Sequence, residues 1–257
     1  NLRLLRKNNP SFPYVVDSAF AHKGGLHASG IQKHSKTYEH IEPEIVGNKR
    51  NIIVSDQSGK SSLSIKLKEL GFKVNDKKLN SLIKKLKKKE FEGYSYDGAE
   101  ASFELFIMRE LSNVPDFFKL KSFQVINEYK DLKDNLEANN TAKANVIVKV
   151  KKEYFSNAIG NGPVNALDNA LRGVLTKSYP VLKKMNLVDY KVRILTPDEG
   201  TKAITRVVIE SSDQNKKSWS TVGVSSNVIN ASYIALKESI TYKLIKSKIF
   251  IIFHVML

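Results

Sequence analysis

The sequence contains an internal duplication over residues 117–246, and this repeat strongly limits the folds that the chain can adopt. Its first half predicts three strands and a helix, at residues 118–129, 143–150, 153–159 and 164–184. Its second half repeats that order at residues 188–195, 204–211, 218–224 and 227–246. Each helix can cover one face of its own sheet. The pattern therefore predicts a duplicated βββα domain of the α+β class, with an exposed face that favours a homodimer.

The rest of the chain divides into three regions by residue type. Residues 1–48 are rich in proline, glycine and histidine, whereas residues 49–116 begin with a strand-like run, Asn51–Val54. Three helices are then predicted, at residues 61–70, 76–89 and 99–111. Residues 247–257 are mostly apolar but too few to span a bilayer, which takes about 20 residues in a helix. We assign them no function and predict no membrane partner.

Charge and residue type narrow the possible partners. The formal net charge is +16, and much of the surplus lies in residues 66–90, with ten lysines against three acidic residues. Leu79, Leu82 and Leu86 recur there at helical spacing, which places the lysines on the solvent face of an amphipathic helix. This run has no arginine and few aromatic residues, so nucleic acid is not predicted as a partner. The absence of cysteine excludes disulfides and thiolate metal sites and fits a reducing cytoplasm.

Residues 19–48 hold four of the five histidines around the pair Gly24 and Gly25. Imidazole exchanges protons near neutral pH and a nearby phenol can orient them, so this segment favours catalysis. Residues 22–27, HKGGLH, lack the glutamate of an HExxH zinc site, and no metal ligand is predicted here. Residues 58–61, SGKS, lack the first glycine of a phosphate-binding loop because Val54 occupies its position.

Four segments resemble the acyl-CoA-dependent Claisen-type synthases, the family of citramalate, 2-isopropylmalate and homocitrate synthases. Residues 19–48, AFAHKGGLHASGIQKHSKTYEHIEPEIVGN, are similar to the segment that follows the catalytic barrel in that family. Three further motifs are most similar to the citramalate synthase branch: VSDQSGKSSL (54–63), GNGPVNALDNAL (160–171) and WSTVGVSSNVINASYIALKESITYKL (219–244). The last two resemble the C-terminal regulatory (dimerisation) domain shared with 2-isopropylmalate synthase, and the resemblance covers about residues 12–246.

The resemblance implies a cytoplasmic transferase that condenses acetyl-CoA with a 2-oxo acid. In such enzymes a TIM barrel binds a divalent metal, and a histidine and a tyrosine after the barrel reach into the active site of the partner subunit. The corresponding catalytic residues here are His27 and Tyr38, whereas we interpret His22, His34 and His40 as structural or surface residues. The barrel is not in these residues, so we expect no metal in this chain and no activity from the chain alone.

We therefore interpret the chain as the C-terminal part of a citramalate synthase-like enzyme of isoleucine biosynthesis. Residues 1–48 would be the tail of the catalytic region, 49–116 a helical linker subdomain, and 117–246 the regulatory and dimerisation domain. Two alternatives stay open. One is a 2-isopropylmalate synthase of leucine biosynthesis, and the other is a stand-alone amino-acid-binding module.

A branched apolar amino acid, isoleucine by preference, is the predicted feedback effector. The turn before the first helix contains Gly160, Gly162 and Pro163, and its NH groups and the helix N-terminus suit a carboxylate. The other interpretation is a simple strand-to-helix turn. An apolar wall for the effector side chain is predicted from Ala158, Ile159, Val164, Val222 and Val224.

Overall fold

The computed structural model describes residues 19–22, 30, 34, 39, 41–48, 51–52, 59–127, 141–215 and 217–247. The chain divides into two compact units, residues 1–97 and 98–257. In the first unit, β1 (Ala21–His22) pairs in parallel with β2 (Asn51–Ile52), and a short 3-10 helix covers Pro43–Val46. Helices α1 (Lys60–Glu69) and α2 (Asp76–Phe91) follow, which confirms two of the predicted helices.

Helix α2 has the amphipathic form that its sequence predicts. The side chain of Asn75 accepts a hydrogen bond from the backbone NH of Lys78 at 2.9 Å and so caps the helix. Leu79, Leu82 and Leu86 are buried along one face, while the lysines near its C-terminal end lie on the exposed side. Lysines in the last turn also suit the negative end of the helix dipole.

The second unit contains the duplicated βββα arrangement, which confirms the predicted fold class. The first repeat consists of β3 (Lys119–Asn127), β4 (Ala142–Lys149), β5 (Glu153–Gly160) and α4 (Pro163–Ser178). The second consists of β6 (Met185–Ile194), β7 (Thr205–Asp213), β8 (Ser218–Ser225) and α5 (Val228–Lys246). Each set of strands forms an antiparallel sheet in sequence order. Within the described residues these two sheets and the short β1–β2 pair are the strands present, and they form no TIM barrel.

Alternating side chains build the core of this unit. In β4, Ala144, Val146 and Val148 face inward and are buried, whereas the residues between them point outward. Helix α4 packs on this sheet through Leu167, Leu171 and neighbouring apolar residues, and α5 packs on β7 and β8. The two helices contact each other, so both repeats share one hydrophobic core.

The first repeat's helix is shorter than the sequence pattern predicts. We expected it to continue to Lys184, but α4 ends at Ser178 and a 3-10 helix occupies Pro180–Lys184. Pro180 explains the difference because proline has no NH to donate and disfavours helical geometry in the residue before it. The Arg172 guanidinium donates to the carbonyl of Met185 at 2.7 Å, which fixes the chain as it enters β6 three residues earlier than expected.

Helix α3 (Glu100–Leu111) is part of the second unit and covers its second sheet. It packs on β8 and on α5, with Ala101, Phe103, Leu105 and Ile107 buried. The backbone NH of Val222 in β8 donates to the Ser102 hydroxyl at 3.0 Å. The compact unit thus begins before residue 117, although the functional boundaries given above stay predictions. No helix in the described part of the chain is long and apolar enough to cross a membrane.

Candidate functional site

The turn between β5 and α4 brings strand and helix very close together at Gly160. A Cβ atom at this position would overlap the backbone nitrogen of Ala166 and the side-chain oxygen of Asn165. That oxygen accepts a hydrogen bond from the NH of Asn161 at 3.2 Å, and the Asn169 amide donates to the Ile159 carbonyl at 3.1 Å. The turn is therefore held rigidly against the first two turns of the helix.

The N-terminus of α4 has the features of an anion-binding end. Gly162 is the N-cap residue in an extended conformation and supplies no side-chain acceptor to the helix. Pro163 occupies the first helical position, where its lack of an NH costs nothing. The following NH groups and the positive end of the helix dipole then suit a carboxylate.

In the second repeat, the equivalent helix N-terminus is capped by side chains of the repeat itself. The Asn227 carboxamide oxygen accepts from the NH groups of Ile229 and Asn230 at 2.9 and 3.1 Å. The Asn230 amide also contacts the Ser225 hydroxyl at 3.2 Å. This N-terminus already has an acceptor for two of its donors, so the two helix ends are not equivalent as carboxylate sites.

The apolar residues predicted for the effector site lie on different faces of their sheets. Ala158 pairs with the buried Ala144 and therefore faces α4. Val222 pairs with Val208 on the outer face of the second sheet and is fully buried. Val224 shares that outer face, because the intervening Gly223 faces α5. Ile159 pairs with Lys143 on the outer face of the first sheet, so the predicted residues do not form one group in this chain, and their role in binding stays a prediction.

A polar cluster around the buried Glu104 joins α3 to α5, and the sequence analysis did not identify it. Glu104 is buried and accepts from the Tyr242 hydroxyl at 2.9 Å and from the Lys246 ammonium at 2.5 Å. Arg109 forms an ion pair with Glu238 at 2.8 Å. Burial raises the pKa of Tyr242, and the neighbouring Glu104 carboxylate raises it further, so the phenol stays protonated and donates. A signal was available: α3 is apolar around most of its circumference, which is typical of a covered helix.

The predicted catalytic residues His27 and Tyr38 lie outside the described residues. His34 is described and is exposed. Among the described residues, no group of three or more histidines or carboxylates is arranged to hold a metal ion.

Two families of domains match the chain. Residues 97–244 match the LeuA allosteric (dimerisation) domain, and residues 15–93 match the homocitrate synthase post-HMGL domain-like family. An (R)-citramalate synthase of Aquifex aeolicus is 51% identical over 93% of this chain and 45% of its own length. An (R)-citramalate synthase of Geobacter sulfurreducens is 48% identical over 91% of the chain and 44% of its own length. A 2-isopropylmalate synthase of Aquifex aeolicus is 31% identical over 93% of the chain and 43% of its own length. The chain thus spans less than half the length of these curated relatives.

Proposed function

Because the chain belongs to the LeuA allosteric (dimerisation) domain family, we propose that it is the regulatory and dimerising part of an (R)-citramalate synthase. The complete enzyme would condense acetyl-CoA with pyruvate in isoleucine biosynthesis. The observation that carries the proposal is a comparison within one organism, Aquifex aeolicus. Its citramalate synthase is 51% identical to this chain, whereas its 2-isopropylmalate synthase is 31% identical over the same share of the chain.

In this proposal His27 and Tyr38 complete an active site whose other groups lie outside this chain. The reaction removes a methyl proton from acetyl-CoA, and the resulting carbanion attacks the keto carbon of pyruvate to form an alkoxide, which takes up a proton. Water then cleaves the thioester, so that the acyl carbon becomes a carboxylate and CoA is released as the thiol. An imidazole at His27 can exchange a proton with the reacting oxygen or methyl group, and the Tyr38 phenol can donate a hydrogen bond to developing negative charge. A divalent metal, when bound by a catalytic barrel, would polarise the keto group.

The proposed effector-binding site lies at the turn before α4. Gly162 leaves the helix N-terminus without a side-chain acceptor, while Asn227 occupies the matching position in the second repeat. We therefore place the effector carboxylate at Gly160–Pro163, with Ala158 on the preceding strand. Val222 and Val224 lie on the other sheet, and Val222 is fully buried there, so neither is part of this placement. Feedback requires that the effector bind more tightly to the arrangement that withdraws His27 and Tyr38 from the reacting atoms.

An assay of the complete gene product tests the proposed reaction. We expect kcat/KM for pyruvate to exceed that for 2-oxoisovalerate by at least about 100-fold, because two extra carbons must be excluded from the keto-acid pocket. The measurement is CoA release from acetyl-CoA with each 2-oxo acid. The 257-residue chain assayed alone should release none. A preference for 2-oxoisovalerate would favour 2-isopropylmalate synthase, and amino-acid binding without any synthase activity would favour a stand-alone module.

Gly162→Asp is expected to weaken isoleucine binding while preserving the fold. No atom lies within 4 Å of a Cβ built at Gly162, and its backbone is extended, so a side chain fits without strain. Aspartate is a preferred N-cap whose carboxylate would occupy the helix NH groups in place of the ligand. Calorimetric titration of the whole chain with isoleucine should show affinity lowered by at least about 10-fold, the value of one charge-assisted contact.

Gly162→Ala is the matched control, because it adds a side chain at the same position without a carboxylate. We expect this variant to bind isoleucine nearly as well as the unmodified chain. Equal binding by Gly162→Asp and the unmodified chain would show that the effector carboxylate does not bind at this helix end. No heat with isoleucine, leucine or valine for the unmodified chain would remove the effector role and leave dimerisation alone.

A further inference from the structure

The outer face of the first sheet, β3-β4-β5, carries large apolar side chains at exposed positions. Phe155 and Ile159 on β5 are 65% and 60% exposed, and Ile126 and Ile147 are exposed on the other two strands. Strand register places Ile147 directly beside Phe155, and Lys143 between Ile126 and Ile159. Two rows of this face therefore carry two large apolar side chains each: Ile126 and Ile159 lie on either side of Lys143, and Ile147 and Phe155 lie next to Ser122. A group of large exposed apolar side chains on one sheet face is typical of an interaction surface.

A row of amides separates the two apolar rows. Gln124, Asn145 and Asn157 are cross-strand neighbours, and the Asn145 amide donates to the Gln124 side-chain oxygen at 3.2 Å. A carboxamide carries both donors and an acceptor, so a row of amides can pair with a copy of itself. An apolar–amide–apolar arrangement of rows is thus self-complementary in chemistry.

The equivalent outer face of the second sheet differs from that of the first sheet, because part of it is buried inside the unit. Val222 on that face of β8 is fully buried, and α3 packs beside the strand, where its Ser102 hydroxyl accepts from the Val222 NH. The part of that face on β6 is polar, with Asp189 and Lys191 paired at 2.6 Å. The two repeats therefore differ: the second sheet is covered or charged on its outside, whereas the first is apolar and carries no described element.

We propose that the outer face of β3-β4-β5 is the surface through which two copies of this chain form a dimer. The inference rests on the dimerisation part of the proposed function, and the domain family of residues 97–244 supports a second copy as the occupant. Three strands of about eight residues present a face that would bury on the order of 1,000 Å² in total. That area is near the lower limit for a specific dimer, so each apolar side chain on it matters.

Repulsion between lysines favours one of the two possible orientations of the dimer's two-fold axis. A two-fold axis running along the strands would place Lys143 opposite Lys143 of the partner subunit, where like charges repel. An axis along the amide row places Phe155 opposite Ile159 of the partner subunit, Lys143 opposite Ile147 of the partner subunit and each amide opposite its own copy, so no lysine of these rows faces another lysine. The second arrangement keeps Lys119 and Lys149 in the outermost row, beyond the rows that pair. We therefore assign the axis to the amide row.

Phe155→Lys tests this surface. Each dimer would lose two rings and gain two charges at its centre, so we expect the dimer dissociation constant to rise by at least about 100-fold. Sedimentation equilibrium of the whole chain measures it. Because Phe155 is exposed within one copy, the circular dichroism spectrum and the melting temperature of the variant monomer should stay close to those of the unmodified chain at low concentration.

Val188→Lys is the matched control, since Val188 is 54% exposed but lies on β6 of the second sheet. This variant should dimerise normally. A dimer that survives Phe155→Lys, or one that Val188→Lys disrupts equally, would overturn the surface assignment and leave the proposed function intact. An unmodified chain that stays monomeric at every concentration would overturn both this surface and the dimerisation part of the proposed function.

Discussion

Replacing His27 by alanine in the complete enzyme is expected to lower kcat by roughly 10²–10⁴-fold, the usual contribution of a positioned general acid or base. His27 is the second histidine of the HKGGLH motif, and the proposed mechanism gives it the proton exchange that accompanies carbon–carbon bond formation. Because His27 is not assigned as a metal ligand, metal affinity should not change. The measurements are steady-state CoA release with acetyl-CoA and pyruvate, and a metal titration of the same variant.

Two further variants separate a catalytic role from a structural one. Tyr38→Phe should cost less than His27→Ala, because a phenol that orients the substrate or the imidazole can be partly replaced by water. His34→Ala, at an exposed histidine of the same segment, should leave kcat nearly unchanged. Near-normal turnover of His27→Ala would mean that the histidine cluster is structural. Equal losses in the His27 and His34 variants would indicate that the segment, and not one imidazole, had been disturbed.

The duplicated fold could be predicted because its signals are local. In β4 the alternation of inward and outward side chains is visible in the sequence, and in α2 the leucines recur at helical spacing. Pro180 is also a local signal for the early end of α4. The prediction of a longer helix gave more weight to the apolar spacing of the preceding turns than to this proline. Asn227 is a further local signal, since asparagine before an apolar run is typical of an N-cap.

The position of α3 could not be predicted from local patterns. Its hydrogen bond from Val222 to Ser102 joins residues 120 apart in sequence, and its ion pair with α5 joins Glu104 to Lys246. Contacts at this separation leave no periodicity in either segment. Burial in β8 does not alternate either: Thr221, Val222 and Gly223 are all buried, although Val222 points away from the face that α5 covers.

This double burial also explains the distribution of the predicted effector residues. Val222 and Val224 were grouped with Ala158 because each is a small apolar residue close to a strand-to-helix turn. The register places them on the outer face of β8, whereas Ala158 faces α4. With no alternation in the sequence, the face of a strand cannot be assigned without its neighbours.

Gly223→Ala is expected to destabilise the second unit by about 3 kcal/mol or more, the upper part of the range for overpacking a core. A Cβ atom at Gly223 would overlap the backbone carbonyl of Ala231 and approach the Ala235 nitrogen at 2.7 Å. Both are helix backbone atoms, so the clash cannot be relieved by a change of rotamer. Moving α5 away would also lengthen the hydrogen bond from the Thr221 hydroxyl to the Ala235 carbonyl, now 2.8 Å. For a unit of this size we expect the melting temperature to fall by roughly 6–12 °C.

Trp219 makes this prediction specific to the second unit. It is the chain's only tryptophan, it lies in β8, and its indole NH donates to the Ser239 hydroxyl of α5 at 2.8 Å. Its fluorescence therefore reports the separation of β8 from α5 during thermal or urea unfolding. Gly162→Ala is the control, because its Cβ meets nothing within 4 Å and the loss of a glycine N-cap should cost no more than about 1 kcal/mol. Equal melting of the Gly223→Ala variant and the unmodified chain would contradict the close packing of α5 on β8. The predicted loss of stability would instead show that position 223 requires glycine because the helix backbone lies too close for a Cβ atom, as at Gly160, and not because of a turn conformation.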